Sequence, residues 1–586
     1  MTAKIRLVDH LAGELAAQGV RQVFGVGGAN IEDLYDAFLG TGGLIRTVVA
    51  KHEFAAATMA DGQARATGRI GVVAVTSGGG AVNLVPGLAE AHASRVPVLA
   101  LVGQPPTTSR GRGAFQDASG RAGFFDMREL FAPVSRFCAW ADDPDAVPEL
   151  LQQALAAAQR APRGPAVLLL PKDVQQALIE PRRPTPPASA APPAPTVRAA
   201  RHRAADLLRG AETVLVIAGE GVAAADARTE LAELAGRLGA WVAVTPDAKD
   251  VFRNDDPRFA GVAGVMGHQN VVDCLRRADV CLLVGTRLPD VARAGLDGAL
   301  AGTPVICVDP EPPFVPGIAV PGDVRAALRE LAERLPVRPR PAPHHAGPVP
   351  RPAPGHTGPA LHHGRGVTSY RAAVAAVEAA LPPEAHVFVD AGNAGASVIH
   401  LLPAPPAGRF VVAVGMGGMG YTFGAGIGAA LATGQRTYVI AGDGSFFMHG
   451  MEVHTAVEYQ APVTFVILNN NGHAMCATRE QLFLGARHPS SLFRPADLAA
   501  GVAAMFPGLA VTRAEDGARL RRALLSANTR GGPAFVTLDV DPAETPPFLP
   551  FLNPATTGTP LTPIPAGAVP AQHEETADEL GPVHVG

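Results

Sequence analysis

The chain has 586 residues, of which 47% are hydrophobic and 17% charged, with a formal net charge of −4 at pH 7. That is length for three or four domains with sizeable cores, and the near-neutral charge gives no reason to expect nucleic acid or an anionic membrane as partner. Five cysteines (Cys138, Cys274, Cys281, Cys307 and Cys476) stand without a CxxC pair, an odd number that suits a reducing, cytoplasmic compartment. The opening MTAKIRLVDHLAGELAAQGV is a charged amphipathic helix pattern rather than a signal peptide, and no stretch is expected to span a membrane.

Residues 1–178 alternate apolar strands (23–26, 45–49, 71–76, 98–102 and 166–170) with helical patterns, which argues a parallel, doubly wound sheet. The first strand ends in Gly27-Gly28-Ala29-Asn30, a tight turn without the GxGxxG spacing of a dinucleotide fingerprint. After the second, Lys51-His52-Glu53-Phe54 opens an Ala-rich helix, where a lone carboxylate reads as an N-terminal helix charge. Thr76-Ser77-Gly78-Gly79-Gly80-Ala81-Val82-Asn83 again links strand to helix, and Gly103-Gln104 leads into Gly113-Ala114-Phe115-Gln116-Asp117.

A Pro/Ala run at 181–196 reads as a linker. The second unit, 197–336, has strands at 214–218, 242–245, 280–284 and 305–308; its Gly219-Glu220-Gly221 is a lone GxG, a weak signal for a nucleotide. Residues 337–366 form a second, Pro/His-rich linker whose histidines lack metal-ligand spacing.

The third unit, 367–548, carries the strongest chemistry. A strand at 387–390 turns through Ala391-Gly392-Asn393-Ala394-Gly395. The glycine run Val414-Gly415-Met416-Gly417-Gly418-Met419-Gly420-Tyr421 leads into Gly424-Ala425-Gly426-Ile427-Gly428, which reads as a Gly-rich helix packing on the sheet. A strand at 437–440 breaks at Gly442-Asp443-Gly444-Ser445, and the next, 463–468, ends in Asn469-Asn470-Asn471-Gly472. Both loops lie at the carboxyl ends of parallel strands, where open sheets bind ligands. The Asp443 carboxylate, the Asn470 amide oxygen and the Gly472 carbonyl suit a hard cation such as Mg²⁺, which shares its oxygen cage with phosphates. The N–H groups around Gly444 and Ser445 suit the phosphate oxygens themselves. Taken singly, each of these is a common turn or cap. The Pro/Thr/Gly-rich residues 549–586 are expected to form a disordered tail.

GDGS, the 27 positions separating Asp443 from Asn470, and a strand ending in LNN together resemble the signature of thiamine diphosphate (ThDP) enzymes. The text EVHTAVEYQAPVTFVILNN is similar to the acetolactate synthase branch in particular. The resemblance runs from Ile5 to about Pro550 and implies an α/β fold of three doubly wound parallel-sheet domains: pyrimidine-binding, central Rossmann-like and diphosphate-binding. It assigns Asp443, Asn470 and Gly472 to Mg²⁺, and Glu53 to the N1′ atom of the cofactor's aminopyrimidine, which turns the exocyclic nitrogen into an internal base. Gly28, Asn83, Asn393, Gly395, Gly417, Gly442, Gly444, Ser445 and Met475 fall where the family touches ThDP. Met419 aligns with the wedge that bends the cofactor between its rings.

Further implied are Gln116 as a hydrogen-bond donor to the bound intermediate, His473 as a proton shuttle, and Ala29, Phe115 and Arg479 lining the substrate pocket. Several positions depart from the pattern. Gly79 replaces a proline, Gly395 and Ala396 replace glutamine and histidine, and Arg479 stands where the branch generally has tryptophan. An arginine there suits an acceptor carboxylate or phosphate. In acetolactate synthases the central domain carries FAD. Gly264-Val265-Met266-Gly267-His268 matches that site in part, and Gly285-Thr286-Arg287 and Asp309 less so, which favours a cofactor-free central domain over FAD.

The implied activity is decarboxylation of a 2-oxo acid, pyruvate by default, followed by addition of the enamine to a second carbonyl. The alternatives are a 2-oxo-acid decarboxylase or acyl transferase with a specialised acceptor, and, in another class, a non-catalytic ThDP-binding partner subunit. The resemblance also implies a homodimer or homotetramer with active sites between subunits.

Overall fold

The computed structural model describes residues 4–180, 195–336, 367–480 and 491–547. The expected linker at 337–366, residues 181–194 of the one expected at 181–196, and the tail from 549 lie outside the described residues; Pro195 and Thr196 instead open the helix Pro195–Gly210. Three six-stranded sheets form, one from each unit, and every strand pair within them is parallel.

The first sheet uses Gln22–Val26, Arg46–Val49, Gly71–Val75, Val98–Gln104, Phe137–Trp140 and Ala166–Pro171. The third uses His386–Val389, Phe410–Val412, Thr437–Gly442, Val463–Asn469, Ala510–Ala514 and Ala534–Asp539. In both, the spatial order is second, first, third, fourth, sixth, fifth. The middle sheet runs third, second, first, fourth, fifth, sixth instead. Open sheets of this kind bind ligands where the winding reverses, beside the carboxyl end of the first strand. In the third sheet that point lies between Val389 and Gly442; in the first it lies between Val26 and Val75.

Six strands escaped the sequence reading: Phe137–Trp140, Phe259–Val262, Ile318–Val320, Phe410–Val412, Ala510–Ala514 and Ala534–Asp539. All but the last are sheet edges. These edge strands are three to five residues long, too short for an apolar run to be told from a loop or a helix segment by its pattern. A short antiparallel pair, Ile5–Arg6 with Leu178–Ile179, ties the two ends of the first unit together just past the expected boundary at 178.

The Gly-rich helix Tyr421–Thr433 differs in part from the expectation. Gly426 faces the sheet, where a Cβ would stand 2.3 Å from Val439 Cγ2. Gly424 and Gly428 instead meet the helix Glu53–Thr67 of the first unit, with added Cβ atoms 2.1 Å from Thr58 Oγ1 and 2.0 Å from Met59 O. Gly62 answers from the other side, 2.0 Å from Ala425 O. The two backbones touch, so any larger side chain at this crossing must push the first and third units apart. Arg409 joins all three units, donating to Glu220 (2.7 Å) and Asp250 (2.5 Å) of the second and to the Arg65 carbonyl of the first. Among the described residues no helix is long and apolar enough to cross a membrane, and all five cysteines are free thiols.

Candidate active site

Glu53 is the first residue of its helix, entered through His52, whose Nδ1 accepts from Phe54 N (3.1 Å). Its carboxylate is half-buried and takes the Asn83 amide at 2.9 Å. Gly80 lies so close that a Cβ would stand 2.9 Å from Glu53 Oε1. The 76–83 loop therefore holds the glutamate in one place, and Asn83 acts through it. Beside them runs a hydrogen-bond chain that the sequence did not suggest: Asn30 Nδ2 donates to Ser77 Oγ (2.7 Å), which donates to Gln116 Oε1 (2.8 Å). That leaves Gln116 Nε2 as the outward donor. Gln116 takes a left-handed φ of 64°, and Gly78 has no room for a Cβ against it (2.7 Å). Gly28 packs on Thr76, its absent Cβ 2.7 Å from Thr76 Cβ. Ala29 and Phe115 are exposed on the same rim, Phe115 at 77%, so Phe115 is not a core residue of this chain.

At the switch point of the third sheet the phosphate-type loops converge. Asp443 is 1% exposed, and its two carboxylate oxygens accept from Asn470 N (3.2 Å) and Gly472 N (3.1 Å). Burial pushes its carboxyl up from the ordinary value against the pull of those N–H groups; a bound cation reverses that balance. Asn470 is buried, with Nδ2 donating to the Tyr370 hydroxyl (2.9 Å) and Oδ1 without a partner among the described residues. Asn393 likewise donates Nδ2 to Thr478 (3.1 Å) and leaves Oδ1 buried and unpartnered. Asn470 Oδ1, on the residue whose backbone N–H meets the buried Asp443 carboxylate, suits a hard cation together with it, because a buried acceptor costs free energy until something positive reaches it. Asn471 adopts φ 55°, which asparagine tolerates, and turns the chain into Gly472.

Gly442 caps the short helix Asp443–His449. Ser445 donates its hydroxyl to Asp390 (2.6 Å), leaving its backbone N–H for a ligand. An added Cβ on Gly444 would meet both His473 Nδ1 (3.1 Å) and Met419 Cε (3.2 Å), so the three residues form one surface. The His473 ring stands edge-on to Phe493 at 4.8 Å.

Residues 5–122 match the family described as "Thiamine pyrophosphate enzyme, N-terminal TPP binding domain", 201–331 its central domain and 390–538 its C-terminal TPP binding domain. The chain is 28% identical to the probable acetolactate synthase large subunit of Methanocaldococcus jannaschii, over 92% of each chain. It is 29% identical to the acetolactate synthase isozyme 3 large subunit of Escherichia coli, over 81% of this chain and 84% of the other. It is 30% identical to the catabolic acetolactate synthase of Raoultella terrigena, over 92% and 95%. The chain belongs to the thiamine pyrophosphate enzyme family. Within it the protein is an enzyme of the acetolactate synthase type, and its first and third units are the family's TPP-binding domains.

In this ThDP enzyme the remaining sequence candidates are spread unevenly. Gly395 lies inside the helix Gly392–Leu401, where a Cβ would stand 1.7 Å from Asp390 O. Its glycine serves close packing, and the free N–H groups at that helix start belong to Gly392, Asn393 and Ala394. Gly417, with φ 65°, is exposed with nothing within 4 Å of a Cβ. Met475 is half-buried and Arg479 exposed on the helix Ala474–Arg479, and Arg479 has no ion pair among the described residues. Among the described residues no hydrogen bond joins Glu53 to Asp443: Glu53 is bonded inside the first unit, Asp443 inside the third. Where the units touch, the Phe54 ring lies 4.4 Å from that of His449, at the far end of the helix that Asp443 begins. Tyr370 and Asp390 were missed in the sequence because each acts through another residue and neither stands in a motif.

In the central unit the flavin-like positions are engaged by the protein. Arg287 stacks on Phe314 (3.9 Å) and donates to Pro312 O (2.7 Å), while Asp309 takes Arg95 (2.8 and 3.0 Å). His268 stacks on His400 at 4.2 Å and accepts from Val262 N (3.0 Å), and burial drives its pKa down to about 2.

Proposed function

We propose that this enzyme holds ThDP through Mg²⁺, decarboxylates a 2-oxo acid, pyruvate first, and joins the remaining two-carbon unit to a second carbonyl compound. The orphaned Asn470 Oδ1 beside buried Asp443 is the observation that carries the reading. The name acetolactate synthase on the relatives supplies the substrate class. Among the described residues no group of three or more His, Cys, Asp or Glu side chains gathers, so a cation at Asp443 would complete its shell with Asn470, the Gly472 carbonyl and phosphate oxygens.

ThDP would supply, once bound, a nucleophilic thiazolium carbon and a cationic ring that takes up the electron pair released as CO₂ leaves. Glu53 would face the aminopyrimidine N1′ and hold its proton, fixed in place by Asn83 and Gly80. Met419, beside Gly444 and His473, would set the bend between the rings. Gln116 Nε2 would donate to the substrate oxygen, and His473 would carry a proton at the phosphate side of the pocket. Ala29 and Phe115 would wall the donor site, and Arg479 would meet the acceptor.

Glu53 and Asp443 belong to separate half-sites, and Phe115, Phe447, Met448 and Met451 are exposed apolar side chains near them. A homo-oligomer that sets the Glu53 half-site of one subunit against the Asp443 half-site of another covers them. The in-chain partners of Arg287 and Asp309 support a cofactor-free central unit over one holding FAD.

The test is product analysis with labelled pyruvate, ThDP and Mg²⁺. Acetolactate establishes donor and acceptor together. Acetaldehyde in its place makes the enzyme a decarboxylase. Bound ThDP without CO₂ overturns pyruvate as donor. A carboxylate- or phosphate-bearing acceptor is the second reading, favoured by Arg479, which has no ion pair among the described residues and stands where the branch generally has tryptophan; it predicts faster turnover of pyruvate when such an acceptor is added.

A further inference from the structure

The turn that carries Met419 has little of its own to hold it. Residues 415–418 are exposed, and Gly417 and Gly420 take φ of 65° and 85°. Glycine loses more backbone freedom on ordering than any other residue. Yet both ends of the turn are fixed by nearly fully buried carboxylates, Glu90 and Asp390, each 3% exposed. Upstream, Glu90 of the helix Val85–Ala93 accepts from Gly415 N (3.2 Å) and Met416 N (2.6 Å), one oxygen to each. Downstream, Asp390 accepts from Gly420 N with both oxygens (3.1 Å each) and from Thr422 N (3.3 Å) and Oγ1 (2.6 Å).

The two carboxylates belong to different units and are themselves braced. Ser94 Oγ donates to Glu90 (2.7 Å), and Arg65 Nη2 stands 3.5 Å from it. Asp390 also takes the Ser445 hydroxyl, which ties it to the Asp443 loop. The fit at the upstream end is close: a Cβ on Gly415 would lie 2.8 Å from Ala93 Cβ, 2.9 Å from Ser94 Oγ and 3.0 Å from Glu90 Oε1.

We propose that Glu90 and Asp390 are a pair of positioning residues that clamp turn 415–420 from two domains, so that Met419 stands in its working place before ThDP arrives. Charge-assisted bonds to backbone N–H groups are about twice as strong as neutral ones, and a turn ordered in advance costs nothing to order when the cofactor binds. Through Glu90, the cofactor turn of the third unit also depends on the docking of the first. The proposal rests on Met419 as the residue between the cofactor rings.

Glu90→Ala and Gly415→Ala perturb the same contact from its two sides. In the cofactor-free protein, hydrogen exchange read by mass spectrometry on peptides spanning 413–421 should speed up in both variants. Each should bind ThDP about tenfold more weakly by calorimetry, the loss of roughly one charge-assisted bond, and lower kcat with KM for the 2-oxo acid little changed. Glu90→Gln keeps a carbonyl acceptor and should recover most of both losses.

Unchanged exchange over 413–421 in folded Glu90→Ala or Gly415→Ala overturns the clamp. Gly415→Ala alters an exposed turn and keeps the test decisive if Glu90→Ala does not fold. Met419→Ala separates the two readings: unchanged ThDP affinity and kcat there, with exchange still responding to Glu90, refutes Met419 as the wedge and leaves the clamp standing.

Discussion

Tyr370→Phe tests whether the Asn470 amide is set for a cation by the protein itself. The Tyr370 side chain is fully buried, burial raises its phenol above the ordinary value, and its hydroxyl accepts the Asn470 Nδ2 proton at 2.9 Å. That bond decides which amide atom is left without a partner, Oδ1. Without the hydroxyl, Nδ2 either stays buried and unsatisfied or the amide rotates and turns Nδ2 where Oδ1 had pointed. A buried donor without a partner costs about 1–3 kcal/mol, and rotating the amide back to receive a cation costs a similar amount. The cofactor-free variant should therefore be destabilised by about 1–3 kcal/mol in denaturant melts, and the Mg²⁺ concentration needed for half-maximal ThDP binding should rise about tenfold. In an Asn470→Ala background the same change should add little, since neighbours in one hydrogen bond are not additive. A stability loss with an unshifted Mg²⁺ titration, or full additivity in the double variant, would refute the reasoning and leave Tyr370 as packing alone.

Glu53→Gln preserves an acceptor for Asn83 but removes the carboxyl group; CO₂ release should fall by about 10²-fold or more while ThDP still binds by calorimetry, and near-normal turnover would end the role given to Glu53. Mixing inactive Glu53→Gln with inactive Asp443→Ala chains, then refolding them together, should restore activity through hybrid sites with one intact half from each subunit; no recovery in confirmed hybrids contradicts sites shared between chains. Glu452 is 1% exposed and burial raises its carboxyl from 4.5 to about 7, against the Thr455 hydroxyl and Lys51 N that it accepts from. The folded state therefore holds that proton more tightly, so the stability contributed is fully present below pH 4.5 and is lost as pH rises to about 7, about 3 kcal/mol in all. Glu452→Gln should flatten this part of the pH–stability curve measured by calorimetry, and an unchanged slope would show that Glu452 titrates normally in the fold.

How much was legible in advance divides along the reach of each signal. Apolar runs of β-branched residues marked the central strands, because a strand buried on both faces has no polar positions to blur it. The edges at Phe137–Trp140 and Ile318–Val320 are only four and three residues long and Ala510–Ala514 mixes in Thr512 and Arg513, so that pairing with a neighbour is what makes them strands. Ala534–Asp539 follows a Gly-Gly-Pro turn and is an apolar run, so its signal does lie in adjacent residues. The run Gly424–Gly428 is expected as a whole on the sheet; only Gly426 lies there, and nothing local says that Gly424 and Gly428 face a helix more than 350 positions away, since their partner is chosen by docking.

By itself, the sequence determined the chemistry that lies within single loops. Gly442-Asp443-Gly444-Ser445 and Asn469-Asn470-Asn471-Gly472 bring carboxylate, amide and backbone groups to the ends of two neighbouring strands, and Glu53 opens its helix straight after a strand. These are short-range consequences of backbone geometry, so they can be read from adjacent residues. Only the tertiary structure decided which of those groups are free to act. It fixed the Asn470 amide with Tyr370, engaged the Ser445 hydroxyl with Asp390, and set Gln116 at the end of the Asn30–Ser77 chain. It also gave turn 415–420 two carboxylates from different domains. A buried polar group takes whatever partner the packed chain brings within about 3 Å, and that partner is set by how domains dock, which no local pattern encodes.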